Sequence, residues 1–280
     1  MKDVNILNSS GANCLTHSKY GHMLYNKNDM YIGRSLREYG EFSELEVELL
    51  LRFCRAGSVV VEVGANIGTH TLAFAKKVGV GGRVYAFEPQ PAVYQMLCAN
   101  MALNDVRHVE CRNQAAGSEA GVLEIPELAY EREGNFGGIS MDLFEMPREG
   151  VWTTKVDTAA LDEVLDPPRL NLMKVDVEGM ELEVVRGARG LIEAHCPVIY
   201  CENDRKEKSP SLLRELFDLG YRAWWHFPKL YNPANHFENP ENVFGNTVSG
   251  NILCVHEGIE FEVKDAAPIA DPDKHPLFAD

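Results

Sequence analysis

SVVVEVGANIGTHT, residues 58–71, is the stretch on which the reading of the fold turns. Its β-branched opening predicts a strand over 58–63, and the lack of polar alternation predicts burial on both faces. The strand stops at Gly64, and Thr69 to Val78 reads as a helix closed by Gly79, Gly81 and Gly82. Strand, glycine turn and helix in that order open a βαβ unit.

Working outward, Arg83–Glu88 reads as a second strand, with Pro89 and Pro91 opening a helix to about Leu103 and a third strand near Val109–Cys111. The rhythm breaks over residues 121–157. There Val122–Ile125 and Thr153–Val156 flank a glycine-rich stretch, Gly134 to Gly138, which predicts a β insertion. It resumes with a strand over Leu170–Asp176, one helix from about Met180 to Ala194, and a fifth strand, Val198–Glu202. Ser209 reads as an N-cap with Pro210 at the first helical position. Tyr221–Phe227 and Asn251–His256 read as an antiparallel finish. The expected class is α/β and Rossmann-like, a mostly parallel sheet with an antiparallel last strand. Residues 1–45 show no clean period and are expected to form a helical or irregular cap or lid on one core domain, 46–280.

The chain has 280 residues, enough for a sizeable core, and its 45% hydrophobic and 25% charged content is that of a globular protein. A net charge of −15 repels phosphate backbones and anionic lipid, so neither nucleic acid nor membrane is an expected partner. The seven cysteines never form a C-x-x-C pair, which points to free thiols in a reducing cytosol rather than to disulfides or zinc. The N-terminus has no signal core and no apolar run approaches the roughly 20 residues of a membrane span, so a cytoplasmic location is expected.

Gly64 and Gly68 allow a sharp turn and close approach to a ligand. Glu88 follows Gly68 by 20 residues, at the end of the second strand, where a carboxylate can accept from both hydroxyls of an adenosine ribose. A pyrophosphate cradle of the form G-x-G-x-x-G lacks its second glycine here, since Ala65 and Asn66 stand in its place. The short-chain dehydrogenase variant needs glycine at His70 and a Tyr-x-x-x-Lys that is absent. S-adenosylmethionine carries no phosphate and is cationic, which suits Glu62. Nicotinamide binding and a turn without a ligand stay open beside it. The expected cofactor set is Glu62, Gly64, Ala65, Asn66, Gly68, Thr69, His70, Thr71, Glu88, Pro89 and Asp176, with Gln114 and Ala115 flanking the adenine.

The fourth strand ends in Asp176-Val177-Glu178-Gly179 and the fifth in Glu202-Asn203-Asp204. No [DN]-P-P-[YF] follows the fourth strand, which argues against an amine acceptor. A hydroxyl acceptor needs a base or a metal to take its proton, and Asp176 is the favoured base. Glu178 is either catalytic or a helix cap. Glu202 is either a pocket acid or, with Asp176 and Asn203, a ligand of Mg²⁺, which is the less favoured reading. The loop from Trp224 to Gly250 interleaves Trp224, Trp225, His226, Phe227, Tyr231, His236 and Phe237 with Asn232, Asn235, Asn239, Asn242 and Asn246. Aromatic faces beside amides suit a carbohydrate-like acceptor, and equally a stable surface loop.

EVGANIGTHT (62–71), FEP (87–89), KVDVEG (174–179) and ELEVVRGA (181–188), with YGEF (39–42) and FGNTVS (244–249), together resemble the FkbM-type methyltransferases over about residues 22–256. That resemblance implies a seven-stranded class I methyltransferase sheet. It further implies methyl transfer from S-adenosylmethionine to an oxygen, on a sugar hydroxyl, another small molecule or a natural product. Glu62 stands where many members have Asp, with the charge kept. Tyr39 joins the expected cofactor set through its motif, and with Glu41 is expected to fold over the methionine end of the cofactor or the acceptor. A homologue that lost turnover is the remaining alternative, against which Asp176, Glu178 and Glu202 speak. Oligomeric state is open.

Overall fold

Three short antiparallel strands come first: β1 (Asn5–Ile6), β2 (Asn13–Ser18) and β3 (Gly21–Asn26). The computed structural model describes residues 5–6, 11–138, 152–264 and 266–278. Helices α1 (Ile32–Tyr39) and α2 (Glu44–Leu50) lead into the central sheet. The N-terminal segment is therefore built on a β-hairpin, not the helical or irregular cap expected. Asn100 and Asn104, one turn apart on a core helix, dock the hairpin by pairing with its backbone. Leu24 N–H donates to Asn100 Oδ1 at 2.6 Å and His22 N–H to Asn104 Oδ1 at 2.9 Å, and both amide nitrogens donate back to the same residues' carbonyls. Cys14, Met23, Tyr25 and Leu36 share an apolar cluster with Ala65, Ile67, Leu97 and Met101. The boundary expected at 45/46 falls inside α2.

The central sheet runs through β4 (Val59–Val63), α3 (Thr69–Val78), β5 (Arg83–Phe87), α4 (Pro91–Leu103) and β6 (Val109–Arg112). An insertion of β7 (Ala115–Ala116), β8 (Gly121–Pro126) and β9 (Thr153–Ala159) follows, with β8 and β9 antiparallel. Then come α5 (Leu161–Val164), β10 (Leu172–Val175), α6 (Glu181–Gly187), α7 (Arg189–His195), β11 (Val198–Glu202), α8 (Ser209–Asp218), β12 (Tyr221–His226) and β13 (Asn251–His256). The seven strands lie in the order β12-β13-β11-β10-β4-β5-β6, and β13 alone is antiparallel to its neighbours.

β4 is buried at every position because both faces of a parallel sheet are covered. Val59, Val61 and Val63 pack with Met173, Val175 and Ile199 on one face, while Val60 packs with Leu172 and Tyr200 on the other. Glu62 shares the second face with Val60, and the register sets it beside Lys174, itself beside Tyr200. A rank of polar side chains thus crosses the sheet one or two residues short of the strand ends.

Two helix expectations need correcting. Met180–Ala194 is not one helix: the chain breaks at Ala188, at φ −112° and ψ 9°, beside Gly187, where a Cβ would overlap the Gly117 carbonyl of the passing insertion. The Asp162 carboxylate caps the second piece by accepting from Gly190 N–H at 2.7 Å and Leu191 N–H at 2.8 Å. Ser209 lies inside α8 rather than at its N-cap, which is Lys208 and makes no side-chain cap. Among the described residues no helix is long and apolar enough to cross a membrane.

Candidate active site

The carboxyl ends of β4, β5, β10 and β11 open into one cavity of about 540 Å³, the size of a small-molecule site. It lies where the strand order reverses about β4, the place where open α/β sheets bind ligands. Gly64, Ala65, Asn66, Thr69, His70, Glu88, Pro89, Gln114, Ala115, Asp176, Glu178 and Glu202 all line it. Glu62, Gly68, Thr71 and Tyr39 do not, although the sequence reading placed them in the cofactor set.

Each of the four has another partner. Glu62 is 1% exposed and accepts from Thr71 Oγ1 at 2.6 Å, so these two satisfy each other below the floor. Gly68, at φ 88°, is glycine because a Cβ would press on Leu97 Cδ1 at 2.7 Å. Tyr39 Oη donates to the Glu241 carbonyl and accepts from Val243 N–H, both at 2.8 Å. Its ring lies 5.4 Å from that of Tyr231 and 5.9 Å from that of Phe244. Glu41 likewise accepts from Asn232 Nδ2 at 2.9 Å and His236 N–H at 2.8 Å. These residues buckle the N-terminal segment to the asparagine-rich loop. Within the loop Asn232 Oδ1 accepts from Ala234 N–H, Asn235 Nδ2 donates to the Asn232 and Asn239 carbonyls, and Asn239 Oδ1 accepts from Glu241 N–H, while Asn239 Nδ2 reaches out to the Glu38 carbonyl. What the loop gives the cavity is Leu230 and Thr247 to Gly250, not its aromatic and asparagine faces.

The amides of the glycine turn, residues 64–68, are taken within the protein. Gly64 and Ala65 N–H donate to the Phe87 carbonyl at 3.0 and 2.9 Å, Asn66 N–H to Glu88 Oε2 at 2.9 Å, Ile67 N–H to Asn66 Oδ1 at 2.8 Å, and Gly68 N–H to the Ala65 carbonyl at 2.9 Å. Gly64 must be glycine because a Cβ there would overlap the Asp176 carbonyl on β10. Glu88 Oε1 accepts from Gln90 N–H at 2.8 Å, so both carboxyl oxygens are fixed and each keeps a free lone pair. Burial pushes the Glu88 carboxyl up to about 7.

At the far end, Lys174 Nζ donates to Asp176 Oδ2 at 2.8 Å from a site only 2% exposed. Below it Glu46 lies 3.8 Å from Lys174 Nζ and 3.2 Å from His70 Nε2. Burial alone would raise the Glu46 carboxyl, but His70 and Lys174 pull it down to about 2. Burial likewise works against the Lys174 ammonium, and Asp176, Glu46 and Glu62 overcome it to raise its pKa. Lys174 and Glu46 were not singled out from sequence. The signal for Lys174 was its place two residues before Asp176 on a strand, hence on the same face.

Glu178 sits in the left-handed region at φ 56°, uncommon for a side chain of its size, and accepts from Arg205 at 2.7 Å. It does not cap α6, whose N-cap Met180 makes no side-chain cap bond; Glu181 accepts instead from Gly179 N–H at 3.0 Å and Val177 N–H at 3.3 Å, in the turn ahead of the helix. Burial, reinforced by Asp176, pushes Glu178 up to about 8. Burial, with Asp176 and Glu178 next, holds Glu202 well above the carboxylate range, and its Oε2 has no hydrogen-bond partner among the described residues. One carboxylate oxygen each from Asp176, Glu178 and Glu202 lie within 4.8 Å of one another. Asn203 does not line the cavity, and its carbonyl faces His275 Nε2 at 2.8 Å.

A seven-stranded sheet in this order, with an acid-lined cavity across the ends of its middle strands, is the architecture of the class I methyltransferases. The profile of the methyltransferase FkbM domain matches residues 62–223, and the chain belongs to the FkbM methyltransferase family. It is 30% identical over 159 residues to the hexuronic acid methyltransferase AglP of Haloferax volcanii, covering 53% of this chain and 57% of that protein. It is 32% identical over 160 residues to the 31-O-demethyl-FK506 methyltransferase FkbM of Streptomyces tacrolimicus, covering 48% and 60%. The chain thus spans less than two thirds of the length of these relatives. The crystal structure of a methyltransferase FkbM from Methylobacillus flagellatus superposes with a TM-score of 0.46 at 16% identity, covering 75% of this chain and 50% of that one.

Proposed function

We propose that the protein transfers a methyl group from S-adenosylmethionine to a hydroxyl oxygen of a small, sugar-like or natural-product acceptor. The observation that carries this reading is the glycine turn with every amide spent internally. The five amides of residues 64–68 would give a dinucleotide's pyrophosphate no donor. Among the described residues lining the cavity Lys174 is the one Lys or Arg, against Glu88, Asp176, Glu178, Glu202 and Asp204. Such walls suit a cationic, phosphate-free cofactor. The substrates in the relatives' names, a hexuronic acid and 31-O-demethyl-FK506, support an oxygen acceptor. The net charge of −15 weighs against nucleic acid, and seven free thiols fit a reducing cytoplasm.

The bound cofactor supplies an electrophilic methyl group on a sulfonium. Glu88 takes the ribose hydroxyls on its free lone pairs, and Gln114 and Ala115 flank the adenine. Asp176, its Oδ2 committed to Lys174, orients the acceptor hydroxyl through Oδ1. Glu202 takes the hydroxyl proton on Oε2, the unpartnered oxygen. This moves the base from Asp176 to Glu202, because Glu202 keeps a carboxylate oxygen with no partner among the described residues while Asp176 Oδ2 is bonded to Lys174. Holding the acceptor in line for attack supplies much of the rate.

A second reading rests on the carboxylate group itself. Asp176, Glu178 and Glu202 offer the hard oxygen donors that Mg²⁺ takes, and an ion held there would acidify the acceptor hydroxyl. Titration with S-adenosylhomocysteine and with NAD(P), then a labelled-methyl acceptor screen with and without chelator, tests both readings. With Glu202 as base, Glu202→Gln lowers the rate roughly 10²–10⁴-fold and chelator does nothing. Abolition by chelator and rescue by Mg²⁺ establish the metal instead, and NAD(P) binding without S-adenosylhomocysteine binding overturns the assignment.

A further inference from the structure

The glycine-rich stretch 134–138 has no part in the mechanism above, yet Asn135, Gly137 and Gly138 line the same cavity as Glu88 and Asn66. We propose that the turn Asn135–Gly138 is a wall of the cofactor site and that Gln90 is the residue that positions it. The proposal rests on reading the cavity as the S-adenosylmethionine site.

Gln90 ties the ribose acid to the turn. Its backbone N–H donates to Glu88 Oε1 at 2.8 Å, while its side-chain Nε2 donates to the Phe136 carbonyl at 2.9 Å. Its Oε1 accepts from Tyr130 Oη at 3.1 Å, so both ends of the amide are engaged in holding the turn. The turn is braced from behind as well. The Tyr130 carbonyl accepts from Asn26 Nδ2 at 2.9 Å and Asn28 Nδ2 at 3.0 Å. Met30 N–H donates to the Gly134 carbonyl at 3.0 Å, and Gly134 N–H to the Asn28 carbonyl at 3.1 Å. Phe136 is buried, its ring centroid 4.9 Å from that of Tyr130.

Steric fit explains the glycines. A Cβ on Gly137 would lie 2.6 Å from Asn66 Nδ2, and Asn66 is itself held at φ 50° by its bond to Ile67 N–H. A Cβ on Gly138 would overlap Asn135 Nδ2 and come within 3.1 Å of Glu178 Oε1. The turn therefore reaches from the cofactor loop to the acceptor carboxylates. Asn135 Oδ1 closes it by accepting from Gly138 N–H at 2.9 Å, which leaves the amide hydrogens to donate to an acceptor oxygen of the cofactor.

Calorimetry and stopped-flow dissociation with S-adenosylhomocysteine on wild type, Gln90→Ala and Gly138→Ala test this, with melting curves as the folding control. Both variants should bind roughly tenfold more weakly, through faster dissociation, because a preorganised wall is lost. In the wild type, saturating S-adenosylhomocysteine should slow amide hydrogen exchange in peptides covering 130–138. That measurement decides alone if a variant fails to fold. Wild-type affinity and dissociation rate in both variants, or no protection of 130–138, overturns the inference and leaves the function standing. A wild type that does not bind S-adenosylhomocysteine overturns both.

Discussion

Glu88 makes the cofactor reading quantitative. Its two oxygens are each fixed by one backbone N–H, from Asn66 and Gln90, and each presents a remaining lone pair to the cavity. A hydrogen bond to a charged group contributes about 1.5–3 kcal/mol, so losing the charge should raise the Kd for S-adenosylhomocysteine by about 10- to 150-fold at pH 8. Glu88→Gln is the perturbation, since it keeps the shape. It also turns one oxygen into a donor facing a backbone N–H, which pushes the loss toward the upper end. The pH dependence follows from the same group. Burial places the ligand-free carboxyl at about 7. The ligand needs the ionised form, so wild-type affinity should fall about tenfold per unit below pH 7 and level off above pH 8, with a proton released on binding. Glu88→Gln should be flat over that range. Calorimetry at pH 6, 7 and 8 in buffers of differing ionisation enthalpy measures affinity and proton count together. Wild-type affinity that does not change between pH 6 and 8, or a variant that binds as well as wild type, would refute the ribose assignment.

Three further outcomes follow from the geometry. Tyr39→Phe removes the hydroxyl shared by Glu241 and Val243 and should cost about 1–2 kcal/mol, a few degrees of melting temperature, while S-adenosylhomocysteine affinity stays put. A tenfold loss of affinity would return Tyr39 to the cofactor site. Lys174→Met strands Glu46, 4% exposed, without its ammonium and should destabilise by about 3–5 kcal/mol in denaturant titration; an unchanged midpoint refutes the buried pairing. The carboxyls of Glu88 and Glu178, raised to about 7 and about 8, hold protons in the folded state that the unfolded chain has already released. Ligand-free stability should therefore decline as pH rises from about 4.5 to 8, and Glu88→Gln should flatten the decline in thermal melts. A melting temperature that climbs over that interval contradicts the assignment.

The parts of the fold written in contiguous residues were legible. β4, the turn and α3 sit within 59–78, where β-branched run, glycines and helix follow one another. The N-terminal hairpin was not legible, because its alternation is disguised: Thr16 and Ser18 face inward at 3% and 4% exposure, so no apolar period shows. Breaks and buckles set by distant contacts were equally hidden. Nothing near Gly187 announces that Gly117 passes against it, and nothing in YGEF (39–42) says that its tyrosine and glutamate will clasp residues 232–243 rather than a ligand. At the site, strand-end acids could be placed by counting. Which of them keeps an unpartnered oxygen depended on Lys174 and Arg205, whose reach only the folded chain shows.

The rungs that Asn100 and Asn104 make with β3 also determine what other chains can do to this protein. A hairpin on a domain surface has an outer edge whose N–H and C=O groups invite any passing strand to add itself. Here the edge beside α4 is finished by two side-chain amides, which offer each donor and acceptor a partner but have no backbone beyond them to extend. Replacing both by alanine would remove the amide partners and reopen the ladder. Strand-for-strand dimerisation or fibre growth would then begin at Leu24.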